Sequence, residues 1–404
     1  ALFTATSATC VTGLVVADTY QNWSLFGQLV ILTLIQIGGL GFITIGSYIA
    51  VVMKKKIGLK ERTAIHESVS TMELAGVVRL VRKIVMGTFA FELAGALLLS
   101  LRFVPQYGLL RGCYMGLFHA VSAFCNAGFD LLGGRFGAFS SLAGYNDNPL
   151  MLGTTAALIV VGGLGFFVWE DIVDKRCWSR LSVYSKMVLL ITAVLIVGGA
   201  LFFLMEEFDN PATLGDMPLW QKGLNALFQS VTLRTAGFDS IGQGGLSDTS
   251  KAMSCVLMLI GGSSGSTAGG LKTATVGVLL LALRSGLMGR EQVTFRGRAI
   301  HYRRVLNAMT LALVVLFVFV FSSMVVSTVE DLPYLDSAFE VASAMGTVGL
   351  TTGITPTLTP FSQGLLILLM YMGRVGILSF SIAFITGNRH PAKIKYPEMN
   401  VMIG

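Results

Sequence analysis

The chain has 404 residues, of which 53% are hydrophobic and 13% charged, with a formal net charge of +7 and a mean hydropathy of +0.73. A soluble domain averages about 25% charged residues. The composition therefore excludes a disordered chain and argues against a soluble enzyme. It points to a polytopic membrane protein, because lipid tolerates few charges. Five scattered cysteines (Cys10, Cys113, Cys125, Cys177, Cys255), with no CxxC pair, give neither a disulfide framework nor a metal site.

The first stretch, Ala1–Leu14, is apolar, dotted with threonines, and lacks the basic flank of a signal peptide. Seven apolar runs of spanning length follow: Leu25–Met53, Ile84–Val104, Leu150–Trp169, Met187–Met205, Ala252–Leu283, Val305–Thr328 and Phe361–Thr386. None alternates as a β-barrel strand does, so they read as helices. The loops after the first, third, fifth and seventh runs hold 21 of the 29 basic residues. By the positive-inside rule that side is cytoplasmic. The opposite loops carry Glu206, Glu207, Asp209, Asp216, Glu330, Asp331 and Asp336. The basic excess is thus a topology signal, not a nucleic-acid footprint.

The segments Ala1–Leu14, Gly116–Phe129, Ala226–Phe238 and Ser337–Leu350 repeat one pattern, a semi-polar helix of about two turns closing on an apolar-glycine end. Their closing glycines, Gly13, Gly128, Gly237 and Gly349, lie 115, 109 and 112 residues apart. A second register follows each: Gly38-Gly39, Gly162-Gly163, Gly261-Gly262 and Gly373-Arg374. The period fits a helix–half-helix–helix unit rather than a solenoid. The expected repeats are residues 1–62, 63–175, 176–290 and 291–404. The first lacks its leading helix, so an eighth span is expected before Ala1.

A half-helix returning through the membrane as a loop is tolerated only beside a water-filled path. Four such loops around one axis make a ring of backbone carbonyls able to replace an ion's hydration shell. Close packing explains any single glycine, but not four in register.

On these residues the sequence resembles the membrane subunit of the Ktr potassium-uptake systems, in the Trk/Ktr/HKT superfamily, from Ala1 to Gly404. The resemblance implies an all-α polytopic membrane protein with four pseudo-symmetric helix–pore-loop–helix repeats around one central pore. It implies potassium uptake with sodium dependence, potassium in the filter as the only cofactor, a homodimer, and a cytosolic KtrA-like nucleotide-binding ring. The setting is a bacterial plasma membrane. A Trk-type or sodium-conducting member of the superfamily is the alternative. The filter would comprise Thr9, Cys10, Val11, Thr12 and Gly13; Cys125, Asn126, Ala127 and Gly128; Arg234, Thr235, Ala236 and Gly237; and Gly346, Thr347, Val348 and Gly349. Glycine at all four closing positions resembles the potassium-selective pattern, since serine at the first goes with sodium preference in plant relatives.

Arg374 sits mid-span, where charge is costly and usually functional. In register it replaces Gly39, Gly163 and Gly262. The resemblance assigns it to a gate beneath the filter; pairing with a carboxylate such as Glu92 is the alternative. Gly261, Gly262, Ser263, Ser264, Gly265, Ser266, Thr267, Ala268, Gly269 and Gly270 form a stretch of poor helix propensity inside a span. The resemblance makes it an intramembrane loop and second gate component, with Lys272 at its edge; a packing seam is the alternative. Thr4, His119, Gln229 and Glu340 share one half-helix position and read as satisfied polar residues, or as groups ordering the filter backbone. Asp18, Asp130 and Asp239 follow the filter glycines, either as a cation-concentrating mouth or as solvated loop. The Arg284–Arg304 loop is placed to transmit a partner's motion. Two enzyme-like matches fail: Gly262–Gly265 mimics a GxSG protease motif, but the later histidines, His301 and His390, both fall in basic loops, and Gly265–Thr273 mimics a phosphate loop in which Leu271 separates Gly270 from Lys272.

Overall fold

The computed structural model describes residues 1–41, 77–290 and 292–376. Its helices are α1 Leu2–Cys10, α2 Thr19–Asn22, α3 Leu25–Leu40, α4 Val77–Tyr107, α5 Leu109–Phe124, α6 Gly133–Phe136, α7 Pro149–Leu164 and α8 Phe166–Lys175. They continue as α9 Val183–Glu206, α10 Leu219–Thr232, α11 Asp248–Leu259, α12 Thr273–Leu287, α13 Tyr302–Glu330, α14 Tyr334–Gly346 and α15 Pro360–Val375. The protein is all-α and polytopic. A two-residue-per-strand hairpin, β1 Thr294–Phe295 with β2 Arg298–Ala299, interrupts it on the basic side. Arg296 and Gly297 form its turn with positive φ of 48° and 77°, the mirror-image turn that tight hairpins need.

Three expected spans are single helices: Val81–Tyr107, Val183–Glu206 and Tyr302–Glu330. Their outer faces are apolar. Leu190, Val194, Val197 and Leu201 make an exposed stripe at helical spacing on α9, the surface that lipid covers.

Two of the other runs are broken within the described residues. The Leu150–Trp169 run breaks into α7 and α8, bent by 96°. The Ala252–Leu283 run ends its first helix at Leu259 and resumes at Thr273. The first and last runs reach only Leu40 and Val375, and their remainders lie outside the described residues, as do Lys54–Arg62 and Arg389–Lys395. The physical cause of the α7–α8 bend is glycine after the apolar turn: Gly165 adopts a φ of 90°, a region side-chain-bearing residues avoid. Gly41 and Gly376, which follow α3 and α15, adopt φ of 84° and 98°.

The helices that follow each half-helix start alike. Ser24, Asn148, Ser247 and Thr359 each accept a backbone N–H three residues on. Each cap lies 14 residues before its register glycine, Gly38, Gly162, Gly261 or Gly373. A cap satisfies N–H groups that lipid leaves orphaned, worth about 1 kcal/mol in water. This third register went unread in the sequence.

Candidate functional site

The half-helices α1, α5, α10 and α14 have 9, 16, 14 and 13 residues, longer than the two turns expected. Each ends in a left-handed residue two places before its glycine: Val11 at φ 58°, Asn126 at 61°, Thr235 at 67° and Thr347 at 51°. Such a conformation costs a non-glycine residue about 1–2 kcal/mol. Helix-closing bonds offset it. The Thr12, Ala127 and Val348 N–H groups donate to the Ser7, Ser122 and Ser343 carbonyls at 2.8, 2.7 and 2.8 Å, a Schellman ending. The third repeat, one residue shorter, closes instead from the Ala236 N–H to the Thr232 carbonyl at 2.9 Å.

The four closing glycines form a ring. A β-carbon built on Gly13 falls 2.5 Å from the Ala127 carbonyl oxygen and 3.1 Å from Gly128 Cα. One on Gly128 falls 2.8 Å from the Ala236 oxygen and 2.9 Å from Gly237 Cα. One on Gly237 collides with the Val348 oxygen and lies 3.2 Å from Gly349 Cα. One on Gly349 collides with the Thr12 oxygen and lies 2.9 Å from Gly13 Cα. The order is cyclic and closes on itself. The carbonyl preceding each glycine, on Thr12, Ala127, Ala236 and Val348, faces the glycine of a neighbouring repeat.

These segments are buried throughout apart from Thr9, whose exposed hydroxyl donates to the Ala5 carbonyl at 2.8 Å. Cys10, Cys125, Arg234 and Gly346 occupy one matched position. The Arg234 side chain lines a small cavity with Ile159, Ile196, Gly163 and Gly262.

The closing glycines are held from a position that the sequence reading passed over. The hydroxyls of Ser7 and Ser343 accept the N–H of Gly13 and Gly349, both at 3.0 Å. In the third repeat the Thr232 hydroxyl donates to the Phe238 carbonyl at 2.7 Å. A hydroxyl residue stands here in every repeat (Ser122 is the fourth), and that recurrence was the available signal. Thr4, His119, Gln229 and Glu340 lie one turn earlier, and the last three hold the loop beyond the glycine. His119 Nε2 accepts from the Leu131 N–H at 3.4 Å. Gln229 pairs with Gln243 at 2.6 Å. Glu340 accepts from the Thr355 hydroxyl at 2.6 Å, the Thr352 N–H at 3.1 Å and the Thr351 hydroxyl.

Of the three aspartates, Asp18 is buried and caps α2 through Tyr20 and Gln21, and it also accepts the Phe139 N–H at 2.9 Å. It is a loop clamp rather than an open mouth charge. Asp239 gathers the N–H groups of Ile241, Gly242 and Gln243. Asp130 accepts from Leu132 at 2.9 Å. Burial raises its pKa to about 6 against that bond, and the Asp18 charge adds to the rise.

The register glycines seat each following helix against its half-helix. A β-carbon on Gly38, Gly162 or Gly373 would strike the carbonyl of Thr9, Phe124 or Met345. The third repeat departs from this pattern. There the chain leaves the helix at Ile260, runs beneath the ring and returns at Leu271, where the Leu271 N–H donates to the Leu259 carbonyl at 3.1 Å. The loop touches other repeats. Ser263 N–H donates to the Gly163 carbonyl at 2.9 Å, and Phe166 N–H to the Gly265 carbonyl at 2.8 Å. The Thr267 hydroxyl donates to the Phe124 carbonyl at 3.2 Å. Gly269 abuts Thr347 so closely that a β-carbon would strike its side chain. Ser263 meets Thr273 at 3.0 Å, and Ser266 donates to the Ser263 carbonyl at 2.6 Å. Lys272 folds back onto the Ala268 carbonyl at 2.7 Å.

Arg374 reaches the same loop. Its guanidinium donates to the Thr267 carbonyl, to the Gly38 carbonyl, and to the Gly39 carbonyl at 3.1 Å. It therefore ties α15 to the loop and to the carbonyl end of α3, where a helix dipole favours a cation. Glu92 is not its partner. That carboxyl accepts from Gln36 at 3.2 Å and from the Cys125 thiol at 3.8 Å, placing an acid directly behind the second closing-glycine segment.

The profile of the TrkH family, described as a cation transport protein, matches residues 1–392. The chain belongs to this family. It is a KtrB-like member of the Trk/Ktr superfamily. The chain is 43% identical to the potassium/sodium uptake protein NtpJ of Enterococcus hirae, over 100% of this chain and 89% of that one. It is 39% identical to the Ktr system potassium uptake protein B of Bacillus subtilis, with the same coverage. The crystal structure of the potassium transporter TrkH from Vibrio parahaemolyticus superposes with a TM-score of 0.72 at 18% identity, covering 94% of this chain and 77% of that one. That likeness is one of fold. A TrkH-family chain is a membrane cation transporter, not an enzyme.

Proposed function

We propose that this TrkH-family chain takes up potassium through the ring of Gly13, Gly128, Gly237 and Gly349. The observation that carries the reading is the closed cyclic contact of the four glycines, each facing a neighbour's carbonyl. An ion entering there exchanges its water for the oxygens of Thr12, Ala127, Ala236 and Val348. The curated relatives named for potassium uptake support this choice of ion.

The loop Gly261–Gly270 and Arg374 form the gate. Loop backbone beneath the ring obstructs the path, and the guanidinium both latches the loop and places a positive charge in a cation pathway. The basic loops face the cytosol of a bacterium. There the Arg284–Arg304 segment receives a nucleotide-binding ring resembling KtrA, and two copies of the chain assemble as a dimer. Neutralising Arg296, Arg298, Arg303 and Arg304 together should uncouple nucleotide control and leave ion selectivity unchanged.

The name of the Enterococcus hirae relative includes sodium, so a sodium-conducting pore is the second reading. Flux into liposomes holding the full-length protein, with potassium and sodium assayed separately, tests both. Potassium flux well above sodium supports the proposal; equal fluxes overturn the selectivity.

A further inference from the structure

On the basic side, α9, α12, α13 and the β1–β2 hairpin together line an open cavity of about 510 Å³. Its walls are apolar side chains, among them Met187, Val278, Ala308 and Leu311. Met187 and Ala308 stand only four and six residues inside their spans, about 6–9 Å at 1.5 Å per residue. The cavity thus opens at the depth where acyl chains give way to headgroups.

Two arginines, Arg298 and Arg304, stand at the cavity. Both are exposed, and neither guanidinium has an acidic partner among the described residues. Phe295 also borders a second cavity, of about 320 Å³, lined by Arg284, Arg290 and Arg296. The hairpin therefore divides an apolar slot from an arginine-lined one.

We propose that this slot binds an anionic phospholipid of the adjoining leaflet. An acyl chain fills the apolar cavity and the phosphate sits between Arg298 and Arg304. A free phosphate gains nothing from the apolar wall, and a zwitterionic lipid leaves the unpaired arginines without net negative charge. Basic pockets between spans at the membrane surface recognise acidic headgroups in this way. The site adjoins the gate: Tyr184 lines the cavity and lies beside Ser264 of the intramembrane loop, while Ala274 and Thr275 lie in the first turn after Lys272. Binding here does not depend on which ion crosses the filter, and it assigns Arg298 and Arg304 to the lipid while leaving Arg296 and Arg303 of the same segment to the proposed partner.

The test is native mass spectrometry of the full-length protein in detergent with three probes: dioleoyl phosphatidylglycerol, dioleoyl phosphatidylcholine and glycerol 1-phosphate. The expected result is one tightly retained phosphatidylglycerol. In the double variant Arg298→Gln, Arg304→Gln that affinity falls about thirtyfold, from about 1 kcal/mol per arginine, with phosphatidylcholine unaffected. Ala299 is exposed and lines the cavity, so Ala299→Trp fills the mouth and also expels the lipid. All three positions lie on the surface, so packing is retained. Equal retention of the two lipids, tight binding of glycerol 1-phosphate alone, or unchanged phosphatidylglycerol affinity in the double variant would overturn the proposal.

Discussion

Arg374→Ala removes the donors that join three elements: α15, the Thr267 backbone and the end of α3. A hydrogen bond to a charged group is worth about 1.5–3 kcal/mol. Three such bonds do not add freely, because burying the guanidinium costs several kcal/mol that its removal returns. A net loss of about 2–3 kcal/mol from the latched state is the reasonable balance. At 1.4 kcal/mol per tenfold, the unlatched population rises by about 30- to 140-fold until it saturates. The assay is potassium flux into liposomes, with Arg374→Lys beside Arg374→Ala. Lysine keeps the positive charge, but its compact ammonium lacks the fork that reaches acceptors on two elements. A latch predicts that lysine behaves nearly like alanine; a purely electrostatic barrier predicts wild-type flux for lysine. Unchanged flux in Arg374→Ala refutes both.

Ser343→Ala removes the acceptor of the Gly349 N–H and should cost about 1 kcal/mol, seen as a lower potassium-to-sodium flux ratio with little change in the thermal midpoint. Gly349→Ala places a β-carbon against the Thr12 carbonyl at a φ of 98°. It should cost more than about 2 kcal/mol and abolish selectivity, read in the same flux assay. Glu340→Ala strips the acceptor of Thr351, Thr352 and Thr355, with an expected loss of about 2–4 kcal/mol in denaturant unfolding. For Asp130, raised from 3.8 to about 6, the folded state holds the proton more tightly than the unfolded one. Stability should therefore fall as pH rises between those values and stay reduced above the upper one. Asp130→Asn should flatten that slope and gain about 1–2 kcal/mol at neutral pH, measured as the unfolding midpoint across pH.

The half-helices and their glycines were legible because the repeat samples the pattern four times, and four coincidences outweigh the ambiguity of any one glycine. The spans were only half legible. Hydropathy reports whether a segment suits lipid, not whether its backbone stays helical, so Gly165 breaks a run that reads as continuous. The serine anchors Ser7 and Ser343 were printed in the repeat, but a position one turn earlier drew attention because it carries His119, Gln229 and Glu340. Titratable side chains are conspicuous, whereas a hydroxyl folding back on its own chain is not. The true neighbours of Glu92 had no sequence signal, since Gln36, Glu92 and Cys125 meet only through tertiary packing.

The third repeat explains why one chain carries both a ring and a loop beneath it. In the other three repeats a register glycine seats the following helix against the last carbonyls of its half-helix, at Thr9, Phe124 and Met345. That contact needs the helix to persist to the glycine pair. In the third repeat the helix ends at Leu259, and Gly261 packs instead against Gly269 of its own loop. The freed segment then spends its polar groups on other repeats, at Phe124, Gly163 and Arg374. Four identical subunits would present four such loops or none. Four unequal repeats in one chain keep the ring near-symmetric, as the proposed coordination of an ion by equal oxygens requires, and let a single repeat depart from symmetry below it. Restoring helix across Ile260–Gly270, by replacing its glycines and serines with alanine, should therefore open the path while leaving the ring's contacts intact, seen as flux that no longer changes in the Arg374→Ala background.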